Sequence, residues 1–195
     1  LLAFSLHGLL ILTARYRLSY DAYHHMFFAD HYLQNWWSLW EARWYTGFPV
    51  TSYPPLLHQL IALTGRITGV DTGFALVLWG VLSAYPPAVY AFCRIFVGRD
   101  ASSYAAYAAA LLPSLFLSAH VFGQLPTLAA LLAALFAMAA LAHFIKDGAP
   151  LTAAVAGYLC LRLLRTVVQE GRLYFFSPYC WAAGSAAVAL SFILQ

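Results

Sequence analysis

The chain has 195 residues, of which 63% are hydrophobic and 9% charged, with a net charge of +3 and a mean hydropathy of +0.74. Soluble domains carry about a quarter of their residues as charged side chains, so this composition excludes an ordinary soluble enzyme and describes an integral membrane protein. The small net charge without a basic run argues against a nucleic-acid partner. Cys93, Cys160 and Cys180, all inside apolar runs and without C-x-x-C spacing, indicate neither a disulfide framework nor a zinc site.

Taken in chain order, transmembrane segments are expected near 1–14, 72–97, 101–118, 125–145, 150–164 and 173–194, most of them reaching or approaching the roughly 20 residues that cross a hydrocarbon core. They form one all-α transmembrane domain over 1–195. The first segment is short and starts inside an apolar run without Met. It therefore reads as the end of a membrane helix that begins upstream, and the chain as part of a longer protein; a signal peptide would show a basic start and a small-residue cleavage site. A long loop, 15–70, separates the first two segments. Within it residues 22–44 contain no Gly or Pro, and Met26, Phe27, Leu33, Trp36, Trp37, Leu39, Trp40 and Trp44 make a broad apolar surface. The pattern predicts a helix lying in the interface, where a flat ring with one polar edge suits the headgroup level. Gly47 and Pro49 end it, Tyr53-Pro54-Pro55 forces extended chain, and a second short amphipathic helix begins over 56–63. Further along, Pro86-Pro87 and Pro113 fall inside expected spans, where they should kink the axis and free backbone carbonyls.

Orientation follows from the short loops, because Lys and Arg accumulate on the cytoplasmic side. Arg94 and Arg99 flank one turn and Lys146 follows the 125–145 segment, which makes both turns cytoplasmic and puts the 15–70 loop and the 118–124 turn together on the outer face. Arg15 and Arg17, and Arg162, Arg165 and Arg172 further on, run against this assignment.

Between Tyr20 and His58 stand three of the seven carboxylates and four of the seven histidines. Asp21 falls just beyond the outer end of the first segment, where a carboxylate reaches both water and a lipid headgroup. On a helix that begins there, Asp21, His24 and His25 are at i, i+3 and i+4, with His31 two turns beyond His24, so several can share a face. Such a carboxylate can serve as a general base with the histidines orienting it or meeting a phosphate, or it can hold a divalent metal together with an imidazole. The alternative is that Asp21 caps the helix while the histidines reach to water. No other cofactor is called for. Arg15, Arg17 and Arg43 are the candidate cations for a phosphate, although Arg at a membrane boundary also meets ordinary lipid phosphates. In the second outer turn Pro126 suits the start of a helix whose amides can receive an anion, with His120 and Gln124 flanking it. Plain turn chemistry accounts for the same residues.

The order of these elements resembles the start of a GT-C glycosyltransferase, a polytopic family that uses sugars carried on polyprenyl phosphate. The residues that carry the resemblance are Tyr20-Asp21-Ala22-Tyr23-His24-His25, Trp44-Tyr45-Thr46-Gly47-Phe48-Pro49, Ser52-Tyr53-Pro54-Pro55-Leu56 and Phe122-Gly123-Gln124-Leu125-Pro126. A similar pattern occurs in bacterial and archaeal membrane proteins labelled 6-pyruvoyl-tetrahydropterin synthase related, whose implied pterin link has no counterpart in these residues. The resemblance covers about the first 145 residues. It implies a GT-C-like fold in a prokaryotic plasma membrane and an inverting transfer of sugar from a polyprenyl-phosphate donor to an acceptor on the outer face. Asp21 matches the family's first-loop acid, and His24, His25, Arg43, Tyr53, His120 and Gln124 are expected to bind substrate. Two departures stand out: Ala22 follows Asp21 where the protein mannosyltransferases have Glu, and no Asp-x-Asp appears in a later outer loop. From residue 149 onward nothing resembles the family, and 162–172 is unusually charged for its surroundings. The sequence leaves two other functions open. A transporter calls for ionisable residues near the bilayer midplane, and a non-catalytic membrane subunit would present its aromatic outer face to a partner.

Overall fold

The computed structural model describes residues 1–50 and 55–146. The segments expected near 150–164 and 173–194, together with Tyr53, Cys160 and Cys180, lie outside the described residues. The described chain is mostly helical: α1 (Leu2–Leu12), a 3-10 turn (Arg15–Leu18), α2 (Ala22–Gln34), α3 (Pro55–Thr68), α4 (Val70–Cys93), α5 (Arg99–Ala110), α6 (Pro113–Leu117), a wide π turn (Ser118–Phe122) and α7 (Leu125–Lys146). Between α2 and α3 a two-residue antiparallel ladder joins β1 (Trp40–Glu41) to β2 (Phe48–Pro49), with Trp40 opposite Pro49 and Glu41 opposite Phe48. Among the described residues three helical runs are long and apolar enough to cross a membrane: Val70–Cys93, Arg99–Phe122 and Leu125–Lys146. The protein is a membrane protein whose apolar helix surfaces face a lipid bilayer.

The central post is α4, against which α1, α2, α3, α5 and α7 all pack. Close backbone approach makes two of these contacts. Trp79 lies over Gly8, stacks on Phe4 at 4.3 Å and donates its indole N–H to the Phe4 carbonyl at 2.9 Å; a Cβ on Gly8 would come within 2.9 Å of the Trp79 ring. At the α3–α4 hairpin, Gly69 turns the chain at φ +84°, and a Cβ on Gly73 would meet the Gly65 amide nitrogen at 2.7 Å. Small residues at the crossing thus let two helices approach to backbone contact. The core gathers Ile11, Tyr16, Met26, Ile61, Phe74, Leu78, Leu82, Leu115 and Leu125 around α4. Tyr85 also donates its hydroxyl to the Leu128 carbonyl at 2.7 Å, fastening α4 to α7.

Pro113 breaks its span as expected: α5 stops at Ala110, Leu112 is extended, and Pro113 opens α6 as its first residue. Pro86 and Pro87 lie within α4, which continues through them to Cys93.

The expected interfacial helix over 22–44 is shorter in the structure. It ends at Gln34, and Trp36, Trp37, Trp40 and Trp44 do not continue a helical face. Tertiary bonds supply the reason. Ser38 turns the chain through its amide bond to Asn35, His31 points at the Ser38 carbonyl at 2.7 Å, and the buried Glu41 faces His31 at 3.0 Å. These bonds, together with the modest helix propensity of Asn, Trp and Ser, outweigh continuation of the helix. The second helix is longer than expected, Pro55–Thr68, because its apolar stripe packs on α2 and α4 over its whole length.

Candidate functional site

Where α2 begins, the chain closes on the turn between α6 and α7. The Tyr20 amide donates to the Val121 carbonyl at 3.0 Å, and the Tyr20 and Phe122 rings stack at 6.3 Å. Gly123 has φ +72°, and a Cβ there would sit 2.8 Å from Ser19 Oγ and 3.0 Å from the Asp21 amide nitrogen. Only glycine meets both demands without strain. The fold therefore brings together two motifs some hundred residues apart, Tyr20-Asp21-Ala22 and Phe122-Gly123-Gln124.

Asp21 stands at the N-cap position of α2, yet its side chain makes no capping hydrogen bond, and the residue is exposed. The residue is open to the surface, with its backbone fixed by the turn. His24 and His25, three and four residues on, part company. His24 is partly buried, edge-on to Phe28 and Trp44 at 4.7 and 5.0 Å. His25 is buried, with Nε2 3.0 Å from the Gly123 carbonyl and Nδ1 3.0 Å from His58 Nε2. Burial pushes the His25 imidazole below its ordinary range, opposed by the Gly123 bond and by the nearby Asp21 charge. Among the described residues no three His, Cys, Asp or Glu side chains converge as a metal site would require.

Of the remaining candidates, Gln124 is exposed at the end of the turn. Its amide bonds the Ser118 carbonyl at 2.8 Å, and the Leu125 amide bonds the Gly123 carbonyl at 2.7 Å. The Gln124 and Leu125 amides at the start of α7 are thus occupied within the turn. His120 lies on the opposite side, directed into the helices, where its Nε2 meets Nδ1 of the buried His7 at 3.1 Å under the Phe116 ring. Arg43 is engaged with protein carboxylates. Its Nε and Nη2 each donate to Glu41 at 2.9 Å, its Nη1 donates to Asp30, and its guanidinium covers the Phe27 ring. That set ties the β1–β2 loop to α2 and places the Arg43 charge on protein carboxylates. The same hydrogen bonds hold the Glu41 carboxyl down at about 2. Arg17 is likewise engaged, donating from both Nε and Nη2 to Asp71, which also accepts from the Tyr16 hydroxyl at 3.0 Å. Arg15 is exposed and in no ion pair among the described residues. Tyr53 lies outside the described residues.

Sequence reasoning passed over His58, His7 and Glu41, three of the most deeply buried polar side chains. Each had a signal: a histidine on the core-facing stripe of α3, a histidine within an apolar helix, and a carboxylate two residues before an arginine among tryptophans.

Comparison with known proteins finds no matching family model and no matching solved structure. Short stretches are similar to two curated proteins named undecaprenyl-diphosphatase. The one from Desulforapulum autotrophicum is 42% identical over 43 residues, 22% of this chain and 16% of that protein. The one from Desulfosudis oleivorans is 47% identical over 38 residues, 20% of this chain and 14% of that protein. The chain thus spans under a fifth of the length of these relatives, and the likeness is local.

Proposed function

We propose that this is a GT-C-like membrane glycosyltransferase that moves a sugar from a polyprenyl-phosphate donor to an acceptor on the outer face, with inversion. The observation that carries the reading is Asp21: an exposed carboxylate at a helix start, released from capping, on backbone pinned to the second outer turn. In this reading Asp21 takes the proton from the acceptor hydroxyl as its oxygen bonds to the sugar's anomeric carbon. The bond from that carbon to the phosphate oxygen breaks, and polyprenyl phosphate leaves. A lipid phosphate is already a good leaving group, so positioning and a base are what the protein must add. Arg15, exposed and in no ion pair among the described residues, is assigned to the phosphate, and the exposed Gln124 to the acceptor. The printed name of the two relatives supports a polyprenyl-linked phosphate as the ligand class. The test is sugar transfer in lipid nanodiscs from a panel of polyprenyl-phosphate sugars, comparing the parent with Asp21→Asn. The substitution should abolish turnover while leaving membrane insertion unchanged.

The same name favours a second reading, hydrolysis of a polyprenyl diphosphate, in which Asp21 deprotonates water that attacks phosphorus. Release of inorganic phosphate from undecaprenyl diphosphate, without any sugar donor, separates it from the first.

A further inference from the structure

His25 Nε2 faces the Gly123 carbonyl, which only accepts, so the proton on that ring must be on Nε2. Burial disfavours a charge on the ring, and a neutral ring protonated at Nε2 has its lone pair on Nδ1. The His58 nitrogen 3.0 Å away must then be the donor, so His58 carries its proton on Nε2. Donation therefore runs one way, from His58 to His25 to the Gly123 carbonyl. That carbonyl also accepts from the Leu125 amide at 2.7 Å, so it is bonded from α2 and from the start of α7 at once. The far side of the same residue is the surface that closes on Ser19 Oγ and the Asp21 amide. Among the described residues, Asp21 and His24 on α2 and His58 on α3 are the titratable neighbours of His25, and Phe74 of α4 stacks over it at 6.3 Å.

We propose that the buried His58–His25 pair is a positioning device: its one-way hydrogen bonds clamp the Gly123 turn onto residues 19–22 and so set the place of the Asp21 carboxylate. Its role in catalysis rests on the glycosyl-transfer reading; the clamp itself does not.

Two measurements on the whole chain in nanodiscs decide the matter without a substrate. Nitrogen-15 spectra of histidine-labelled protein, assigned with single His25→Asn and His58→Asn variants, should show both rings neutral and protonated at Nε2. A ring of His25 protonated at Nδ1, or averaged between tautomers, overturns the proposal. Hydrogen exchange at the Tyr20 amide, which bonds the Val121 carbonyl, reads the docking of the turn directly. Loss of a neutral hydrogen bond of this kind should speed exchange at Tyr20 about fivefold to tenfold in His58→Ala, while His58→Gln, whose amide can still donate to His25, should restore protection. Equal Tyr20 exchange in parent, His58→Ala and His58→Gln also overturns it. Amides of α7 near Ala139 report whether a variant has lost its fold, and the histidine spectrum of the parent stands even then. If the parent transfers sugar, His58→Ala should lower kcat with little change in KM and His58→Gln should recover it. If the parent transfers none, the exchange and spectral results still decide the clamp.

Discussion

Asp21 and Gly123 form a pair in which each residue limits what the other can be. Asp21 stays open because the helix start does not use its side chain, and Gly123 stays glycine because a methyl group there would press on Ser19 and on the Asp21 backbone. Gly123→Ala should cost about 1–3 kcal/mol, from the left-handed backbone and the forced separation together. A lowered unfolding temperature and faster Tyr20 exchange would register it. Glu41 is the other residue with a sharp expectation. Its carboxyl is held at about 2, below the ordinary 4.5, chiefly by the hydrogen bonds from Arg43. A group depressed in the folded state stabilises at pH above its unfolded value, and that stability disappears as pH falls through the folded value. Thermal stability should therefore fall between about pH 4.5 and 2. Glu41→Gln should lack that increment and lose up to about 3 kcal/mol near neutrality, a figure kept low by the water around Arg43. An acid profile identical in parent and variant would remove Glu41 from the account.

At the scale of elements, the apolar runs announced the three described helical runs long enough to span, because a mostly apolar stretch of about twenty residues has few other fates. Pro113 and Gly123 announced their breaks for equally local reasons. The end of α2 was not legible. Trp36, Trp37 and Trp40 fit a continuing helical face, and the bonds that stop the helix depend on Glu41, ten residues past His31, folding back. The same limit applied to the site. Proximity of Asp21 to the second outer turn followed from topology, but the inward turn of His25 and its partner His58 is a tertiary fact with only a faint trace in spacing. Arg43 shows the converse: a cation in an aromatic loop gives no sign in sequence that it is paired with Glu41 and Asp30. The glycine spacing in α3 and α4 allows a controlled test of helix contact. Gly73→Ala should destabilise by about 1–3 kcal/mol because its Cβ would meet backbone atoms of α3. Gly80→Ala, where nothing lies within 4 Å, should be neutral or gain the better helix propensity of alanine. Unfolding of the two variants side by side in the same lipid checks both, and equal effects would contradict the close α3–α4 crossing.

For the whole molecule, the helical run from Arg99 to Phe122 has the Arg94–Arg99 turn at one end and the Asp21–Gly123 contact at the other, and the two are expected on opposite sides of the membrane. A cysteine placed at the well-exposed Tyr45 should react with an impermeant maleimide from outside intact cells, and one placed at Arg99 should react after permeabilisation only. The reverse pattern would turn the site to the cytoplasm and exclude an acceptor on the outer face. The most direct measurement remains sugar transfer by the nanodisc-embedded chain from defined polyprenyl-phosphate donors, parent against Asp21→Asn. Transfer that the parent performs and the variant loses, with insertion and unfolding temperature unchanged, is the expected result. Transfer indifferent to Asp21, or none from any donor, would contradict the assignment of this carboxylate as the base of a glycosyltransferase.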